Sequence, residues 1–271
     1  MTLQVADTLR QRGDGEWLRG RASVILFEEC WHYARPSRYI PANPVDALIG
    51  IAQSVKNKNA AGLGSLAHAV SENDSSTSKL AEEHRAIRIV KTAMARPADF
   101  FKWAINNCPD AESLEVVQIA SRVVSNATWP WDKAFIFAGA YLAITEGTPE
   151  VHSADDAGRE SCPYWVGIDK HTAWGKMALQ NVAREIDVPY TKLQWASFYF
   201  ESVLNNQQEP SPWWELERVW RFTKLEWDIE EAASVWARAR PMVKGALATH
   251  SAKLFEAVNN PDLKQQHEFL D

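Results

Sequence analysis

The stretch DAESLEVVQIASRVV (residues 110–124) shows most plainly how this chain folds. Leu114, Val117 and Ala120 recur at intervals of three residues, so that on a helix they form one apolar stripe. Asp110 stands just before the stripe, where its carboxylate can accept hydrogen bonds from the free backbone N–H groups of the first turn. The stretch therefore predicts an amphipathic helix with its own N-terminal cap.

Helical spacing continues along most of the chain. Alternation of β-branched residues is almost absent, and Gly and Pro number only 12 and 13. We therefore predict an all-α fold, a multi-helix bundle with a Trp-rich C-terminal part. The expected helices, each end placed within about 2–4 residues, cover residues 16–33, 44–56, 59–72, 77–95, 97–107, 111–126, 130–145, 170–186, 190–206, 212–223, 229–247 and 250–258.

The clearest loop signal divides these helices into two groups. It runs from Thr145 to Ile168 and contains Glu-Gly-Thr-Pro and Ser-Ala-Asp-Asp-Ala-Gly. Before it we expect an N-terminal bundle, residues 1–146, and after it a C-terminal helical part, residues 163–258. The two parts are expected to pack together as one compact unit, followed by a loose tail at residues 259–271.

Composition narrows the class of protein. The 271 residues carry 29 Lys and Arg against 35 Asp and Glu, a net charge of −6, which excludes a uniformly basic nucleic-acid coat but not a local basic patch. The three cysteines form no CxxC pair, so neither a disulfide scaffold nor a zinc ribbon is predicted. No apolar run suits a signal peptide or a membrane span, and we expect a cytoplasmic protein without membrane contact.

The common catalytic motifs are missing from the sequence. There is no GxxxxGK[ST], no GxSxG and no HExxH, and no GxGxxG follows a strand. No nucleotide site and no cofactor are therefore expected. These absences disfavour the common enzyme classes but leave an unusual helical hydrolase or metal enzyme open.

The first candidate site is the acidic pair Glu28–Glu29 on the predicted helix 16–33. Glu29 follows Ile25 by four residues, on or beside the apolar stripe of that helix. A carboxylate drawn into an apolar interface is costly unless it is paired or hydrogen-bonded. Glu29 therefore faces either a ligand or a structural partner such as Arg21 or a helix N-terminus, and structural pairing is the more common case.

The second candidate is Asp169 with His171, where an aromatic loop enters the predicted helix 170–186. Asp169 is placed to cap that helix, which is the ordinary role of an acid at such a position. In the alternative, Asp169 and His171 act as metal ligands or as an acid/base pair, together with Glu29. Further oxygen and nitrogen ligands for such a metal lie in the preceding loop: His152, Asp155, Asp156 and Glu160.

The third candidate is a tryptophan-rich surface in the C-terminal part. Of the 13 tryptophans we expect some to stay partly exposed and to bind a protein partner: Trp213, Trp214, Trp220 and Trp227. The alternative is that these rings fill the C-terminal core. Acids such as Glu215 and Glu217 are interleaved with the rings, so a protein surface or core is favoured over a nucleic-acid contact.

Several short segments resemble one family. Val24-Ile-Leu-Phe-Glu-Glu resembles a "VIASED"-like helix in the C-terminal helical part of the RarA/MgsA group of replication-associated AAA+ ATPases, which is related to clamp-loader collars. Residues 134–144 resemble an "A…A..YLA" helix of that group. Ile168-Asp-Lys-His-Thr-Ala-Trp-Gly-Lys and Trp195-Ala-Ser-Phe-Tyr-Phe-Glu are similar to a "D-x-HT-xx-G … F-E" pattern of some relatives.

The resemblance spans residues 15–205 and implies a collar-like bundle. The ATPase and lid modules are absent from the sequence, Phe27 replaces the family's small residue, and the family's following Gly is unmatched. The resemblance thus implies a non-catalytic oligomerisation or adaptor subunit in DNA replication or repair. Its partner would be a separate AAA+ ATPase or a second copy, with contact to DNA left open. The alternatives are a metal-dependent or acid/base enzyme and a structural homo-oligomer.

Overall fold

The computed structural model describes residues 11–34, 50–51, 54–150, 152, 173–202, 209 and 211–259. Across these residues the chain forms eleven α-helices and no strand, so the all-α multi-helix prediction is confirmed. The helices are α1 (Gly15–Cys30), α2 (Asn59–Ser71), α3 (Ser78–Glu83), α4 (Arg85–Ala95), α5 (Pro97–Asn106), α6 (Ala111–Val123), α7 (Pro130–Thr145), α8 (Ala173–Glu185), α9 (Tyr190–Ser197), α10 (Pro212–Lys224) and α11 (Ile229–Asn259). A π-helical turn, Phe198–Ser202, extends α9.

Local sequence sets most helix ends. The Asp110 carboxylate accepts a hydrogen bond of 2.7 Å from the Ser113 backbone N–H, as the cap prediction requires. The Asp228 carboxylate caps α11 in the same way, through Glu230 N at 2.8 Å and Glu231 N at 3.0 Å. Helices α5, α7 and α10 each begin with proline, whose missing N–H would have no partner in a first turn.

Two predicted boundaries are wrong. The predicted helix 77–95 is two helices, because His84 is extended between α3 and α4 and the Arg88 guanidinium binds the Ala81 and Glu82 carbonyl groups at the end of α3. The predicted helices 229–247 and 250–258 are one helix, α11, because no Gly or Pro separates Leu247 from His250.

The centre of the fold is the pair α2 and α7. Helix α2 packs against α7, α10 and α4, and α7 also packs against α6, α1 and α4. Glycines permit this close packing: a Cβ atom added at Gly62 would lie 2.3 Å from the Trp213 carbonyl carbon, and one added at Gly64 would lie 2.9 Å from the Ala134 backbone. Helix α11 packs against α8 and α9.

The predicted division into residues 1–146, 163–258 and a tail stays a prediction, because most of the residues at its boundaries are not described. Most of the loop 145–168, nearly all of the tail 259–271 and most of the predicted helix 44–56 lie outside the described residues. Among the described elements, α2 and α10 form the most extensive contact between the N-terminal and C-terminal halves. Among the described helices, none is both long and apolar enough to cross a membrane.

Candidate functional site

Charged side chains gather at the end of α1, around the predicted acidic pair. The Glu29 carboxylate accepts a hydrogen bond from the Lys58 ammonium, not from Arg21 as one structural alternative expected. The reason is tertiary: the Asn57 N–H donates to the Glu29 carbonyl oxygen at 2.8 Å, which lays the segment before α2 beside the end of α1. Glu29 is therefore a paired acid in this fold.

Arg21 serves the other acid of the pair. Its guanidinium donates to Glu28 at 3.4 Å and to Asp132, in the first turn of α7, at 3.1 Å. Burial raises the pKa of Asp132, and Arg21 opposes that rise. Burial also raises the pKa of Glu28, with Lys58 acting against it most strongly and Glu29 adding to it. The arginine thus joins α1 to α7 by binding one buried carboxylate, that of Asp132, and one partly exposed carboxylate, that of Glu28.

The remaining groups of this cluster are basic or weakly acidic. The Lys56 ammonium donates to the Ile51 carbonyl oxygen, and burial lowers the pKa of Lys56 while Glu29 raises it. Burial raises the pKa of the Cys30 thiol to about 12, so the thiol stays protonated and unreactive near neutral pH. The cluster pairs acidic with basic side chains, and these pairs fix α1 against α7 and against the segment before α2.

The segment Asn57–Asn59 connects the cluster to the C-terminal half. The Asn59 side-chain oxygen accepts from the Trp213 backbone N–H at 3.0 Å, and the Lys58 backbone N–H donates to the Ser211 hydroxyl at 3.1 Å. The Asn57 side-chain amide donates to Glu209 at 2.9 Å. Sequence reasoning missed this junction; its signal was Lys-Asn-Lys-Asn directly before an apolar, glycine-containing helix.

The four predicted partner-binding tryptophans lie mostly in the core. Trp214, Trp220 and Trp227 are 5–7% exposed, so the expectation of exposure is wrong for these three. Trp213 is half-buried. Aromatic neighbours cover the buried rings, with Tyr199 packing 5.4 Å from Trp214 between ring centroids. These three rings offer a partner little surface in this conformation.

One of the acids interleaved with these tryptophans is buried as well. Glu217 is 2% exposed and accepts from the Tyr199 hydroxyl and, at 3.0 Å, from the Arg221 guanidinium. Burial, with the Glu217 charge adding to it, raises the pKa of Tyr199 far above its usual range. The Arg221 guanidinium also lies 4.1 Å from the Trp195 ring centroid and 4.4 Å from that of Trp220. The group ties α10 to α9 as a structural unit.

Among the described residues, the two most exposed tryptophans lie near the start of α1 and directly before α7. Trp17 on α1 is 61% exposed, and Trp129, which precedes α7, is 63% exposed. Arg21, one turn after Trp17, holds its guanidinium 6.0 Å from the Trp129 ring centroid. Because Glu28 and Asp132 hold Arg21, these three side chains form a supported surface, the Trp17–Arg21–Trp129 patch.

Most of the residues predicted for a metal or acid/base site are not among the described residues. Asp169, His171, Asp155, Asp156 and Glu160 lie outside the described residues. His152 is exposed, and its carbonyl oxygen accepts from the Val55 N–H at 2.9 Å. Within the described part of the chain, no group of three or more His, Cys, Asp or Glu side chains could hold a metal ion.

Comparison with known proteins identifies no relative of this chain. The chain matches no model of a known family, no curated protein and no solved structure. The collar-like resemblance and the roles of Asp169 and His171 therefore stay predictions.

Proposed function

We propose that this chain is a non-catalytic adaptor that docks a protein partner through the Trp17–Arg21–Trp129 patch. The observation that carries the proposal is the exposure of two tryptophans, 61% and 63%, one a helical turn before Arg21 and the other 6.0 Å from its guanidinium, while acids hold that arginine in place. Large aromatic side chains left this open to water are candidates for burial by a partner.

The chemistry of the patch suits a protein surface. Tryptophan and arginine are the residue types most enriched among interface hot spots, since each buries a large area or makes several hydrogen bonds. Arg21 already has fixed partners in Asp132 and Glu28, so less side-chain entropy is lost when a partner covers it. Side chains that are held in place before binding favour a specific interface over non-specific hydrophobic association.

The partner class follows from the resemblance of residues 24–29 and 134–144 to the collar part of replication-associated AAA+ ATPases. Collars hold oligomers together and dock other proteins, and the 271 residues contain no GxxxxGK[ST] motif for binding a nucleotide phosphate. We therefore commit to a separate AAA+ ATPase as the partner, in DNA replication or repair. Self-association into a homo-oligomer is the competing outcome.

The test measures binding and self-association of the full chain. A AAA+ ATPase encoded beside this chain is titrated with wild type and with Trp17→Ala/Trp129→Ala by calorimetry, and the chain alone is examined by sedimentation velocity. Truncating hot-spot tryptophans should weaken partner binding by about 2 kcal/mol or more, roughly 30-fold. The matched control is Met177→Ala/Val219→Ala, which removes two other exposed apolar side chains, 47% and 43% exposed, from α8 and α10.

Three results would contradict the proposal. Wild-type binding that the tryptophan variant leaves unchanged places the interface elsewhere. An equal loss with the control variant shows that general surface hydrophobicity is responsible. Concentration-dependent oligomerisation that the tryptophan variant abolishes, without ATPase binding, assigns the patch to a homo-oligomer.

A further inference from the structure

A surface cleft of about 470 Å³ runs along α4 to the start of α5. Three arginines line it, Arg85, Arg88 and Arg96, and Asp99 is the one acid among its lining residues. Its apolar side includes Phe100, which is 6% exposed, and Trp103, which is 40% exposed. A locally positive cleft therefore exists on a chain whose net charge is −6.

The arginines follow a single line. Arg85 and Arg88 are one turn apart on α4, and Arg96 directly follows the helix and lines the same cleft, so at the rise of a helix the row is about 16 Å long. The Arg88 guanidinium is oriented by the Glu82 carbonyl oxygen at 2.8 Å. Arg85 and Arg96 are exposed, and neither forms an ion pair with an acid in the described part of the chain.

The aromatic side of the cleft is partly open. The ring centroids of Trp103 and Phe100 are 5.8 Å apart with planes tilted by 46°, so the buried phenyl ring supports the exposed indole. An indole presented beside a row of cations can stack with a planar ring while the cations bind charges attached to that ring.

We infer that this cleft binds single-stranded nucleic acid, with phosphates on Arg85, Arg88 and Arg96 and a base stacked on Trp103. A single strand offers both groups together, because its bases are unpaired and its backbone is charged. An acidic peptide would satisfy the arginines but offers no regular planar ring to Trp103. The inference goes beyond partner docking and does not rest on it, since the binding is measured on the chain alone.

The test is fluorescence anisotropy with a labelled oligodeoxythymidylate of about 15 nucleotides. Two or three phosphate contacts predict that the logarithm of the binding constant falls against that of salt concentration with a slope of about −1.4 to −2.1. Arg96→Gln should weaken binding and reduce the slope by about 0.7. Trp103→Ala should weaken binding about 5- to 150-fold, and Trp103→Phe, which keeps a stacking ring, should lose much less.

The control is Arg238→Gln, which removes an exposed arginine from α11. It should leave the affinity and the salt slope unchanged, and circular dichroism should show that every variant keeps its helical signal. Absence of binding at about 50 mM salt would overturn the inference, as would equal losses for Arg238→Gln and Arg96→Gln. Competition by a polyglutamate peptide as strong as that by unlabelled oligonucleotide, with no effect of Trp103→Ala, would assign the cleft to an acidic protein segment.

Discussion

Lys58 shows how much one side chain does in this fold. Its ammonium pairs with Glu29, its charge lies 5.6 Å from the Trp214 ring centroid, and its backbone N–H binds Ser211. The side chain is only 7% exposed, so these partners and not water molecules surround its ammonium group. A single lysine thus connects α1, α2 and α10.

Replacing Lys58 by Met should destabilise the chain, because it leaves the Glu29 carboxylate partly buried without its cation. Glu29 keeps some contact with water, being 24% exposed, so we expect a loss of about 1–3 kcal/mol in the free energy of unfolding. Urea unfolding followed by circular dichroism measures it. In Lys58→Met/Glu29→Gln the loss should be smaller than the sum of the two single changes.

The matched control is Lys79→Met. Lys79 pairs with Glu83 one turn away, but the two side chains are 84% and 51% exposed, and such pairs contribute little. Its effect should stay within about 0.5 kcal/mol. Equal effects at Lys58 and Lys79 would show that the pairing seen around Glu29 does not contribute to stability.

At the scale of elements, α2 depends on glycine at one position. A Cβ atom at Gly62 would meet the Trp213 carbonyl carbon at 2.3 Å, and backbone atoms at the start of α10 cannot rotate out of the way as a side chain can. The α2–α10 contact therefore requires a residue without a side chain, although glycine is unfavourable inside a helix.

Gly62→Ala should lower the free energy of unfolding by about 3 kcal/mol, the upper end of the cost of overpacking. Gly245→Ala is the control, because nothing lies within 4 Å of a Cβ atom added there on α11. That variant should gain about 0.5–1 kcal/mol from the better helix propensity of alanine. Thermal or urea unfolding compares the two, and stabilisation by both substitutions would contradict the close packing of α2 on α10.

For the molecule as a whole, stability should depend on pH through two carboxylates whose pKa values are shifted in opposite directions. Burial raises the pKa of Asp132, so stability falls as the pH rises from the ordinary aspartate pKa to the raised one, and the full penalty is present above the raised pKa. The Lys224 hydrogen bond lowers the pKa of Asp74, so ionised Asp74 stabilises the folded state and this contribution is lost as the pH falls through that pKa.

As the pH rises from about 3 to 7, the free energy of unfolding of Asp132→Asn should therefore increase relative to that of wild type. Over the same range the free energy of unfolding of Asp74→Asn should decrease relative to that of wild type. Below both pKa values each carboxylate is protonated in the folded and the unfolded chain, so the variants should then approach wild type. Urea titrations at several pH values give the two slopes. If the stability difference from wild type changes with pH in the same direction for both variants, Asp132 and Asp74 do not have pKa values shifted in opposite directions.

The sequence by itself determined the class of fold and most helix positions. Periodic apolar residues, the Asp110 cap and prolines at first helical positions act within one or two turns, and such short-range chemistry is readable without the fold. It also pointed to the acidic pair Glu28–Glu29. It could not separate core from surface among the tryptophans, since a ring that fills a core and a ring that binds a partner have the same composition signal.

Only the tertiary structure decided which groups meet. Glu29 pairs with Lys58, Arg21 with Asp132, and Asn59 with Trp213, across separations of 29, 111 and 154 residues. The same packing buried Trp214, left Trp17 and Trp129 open, and opened the arginine cleft beside Trp103. The physical reason is that burial and pairing depend on distances set by how helices pack, and helical periodicity carries information only about neighbours along one helix.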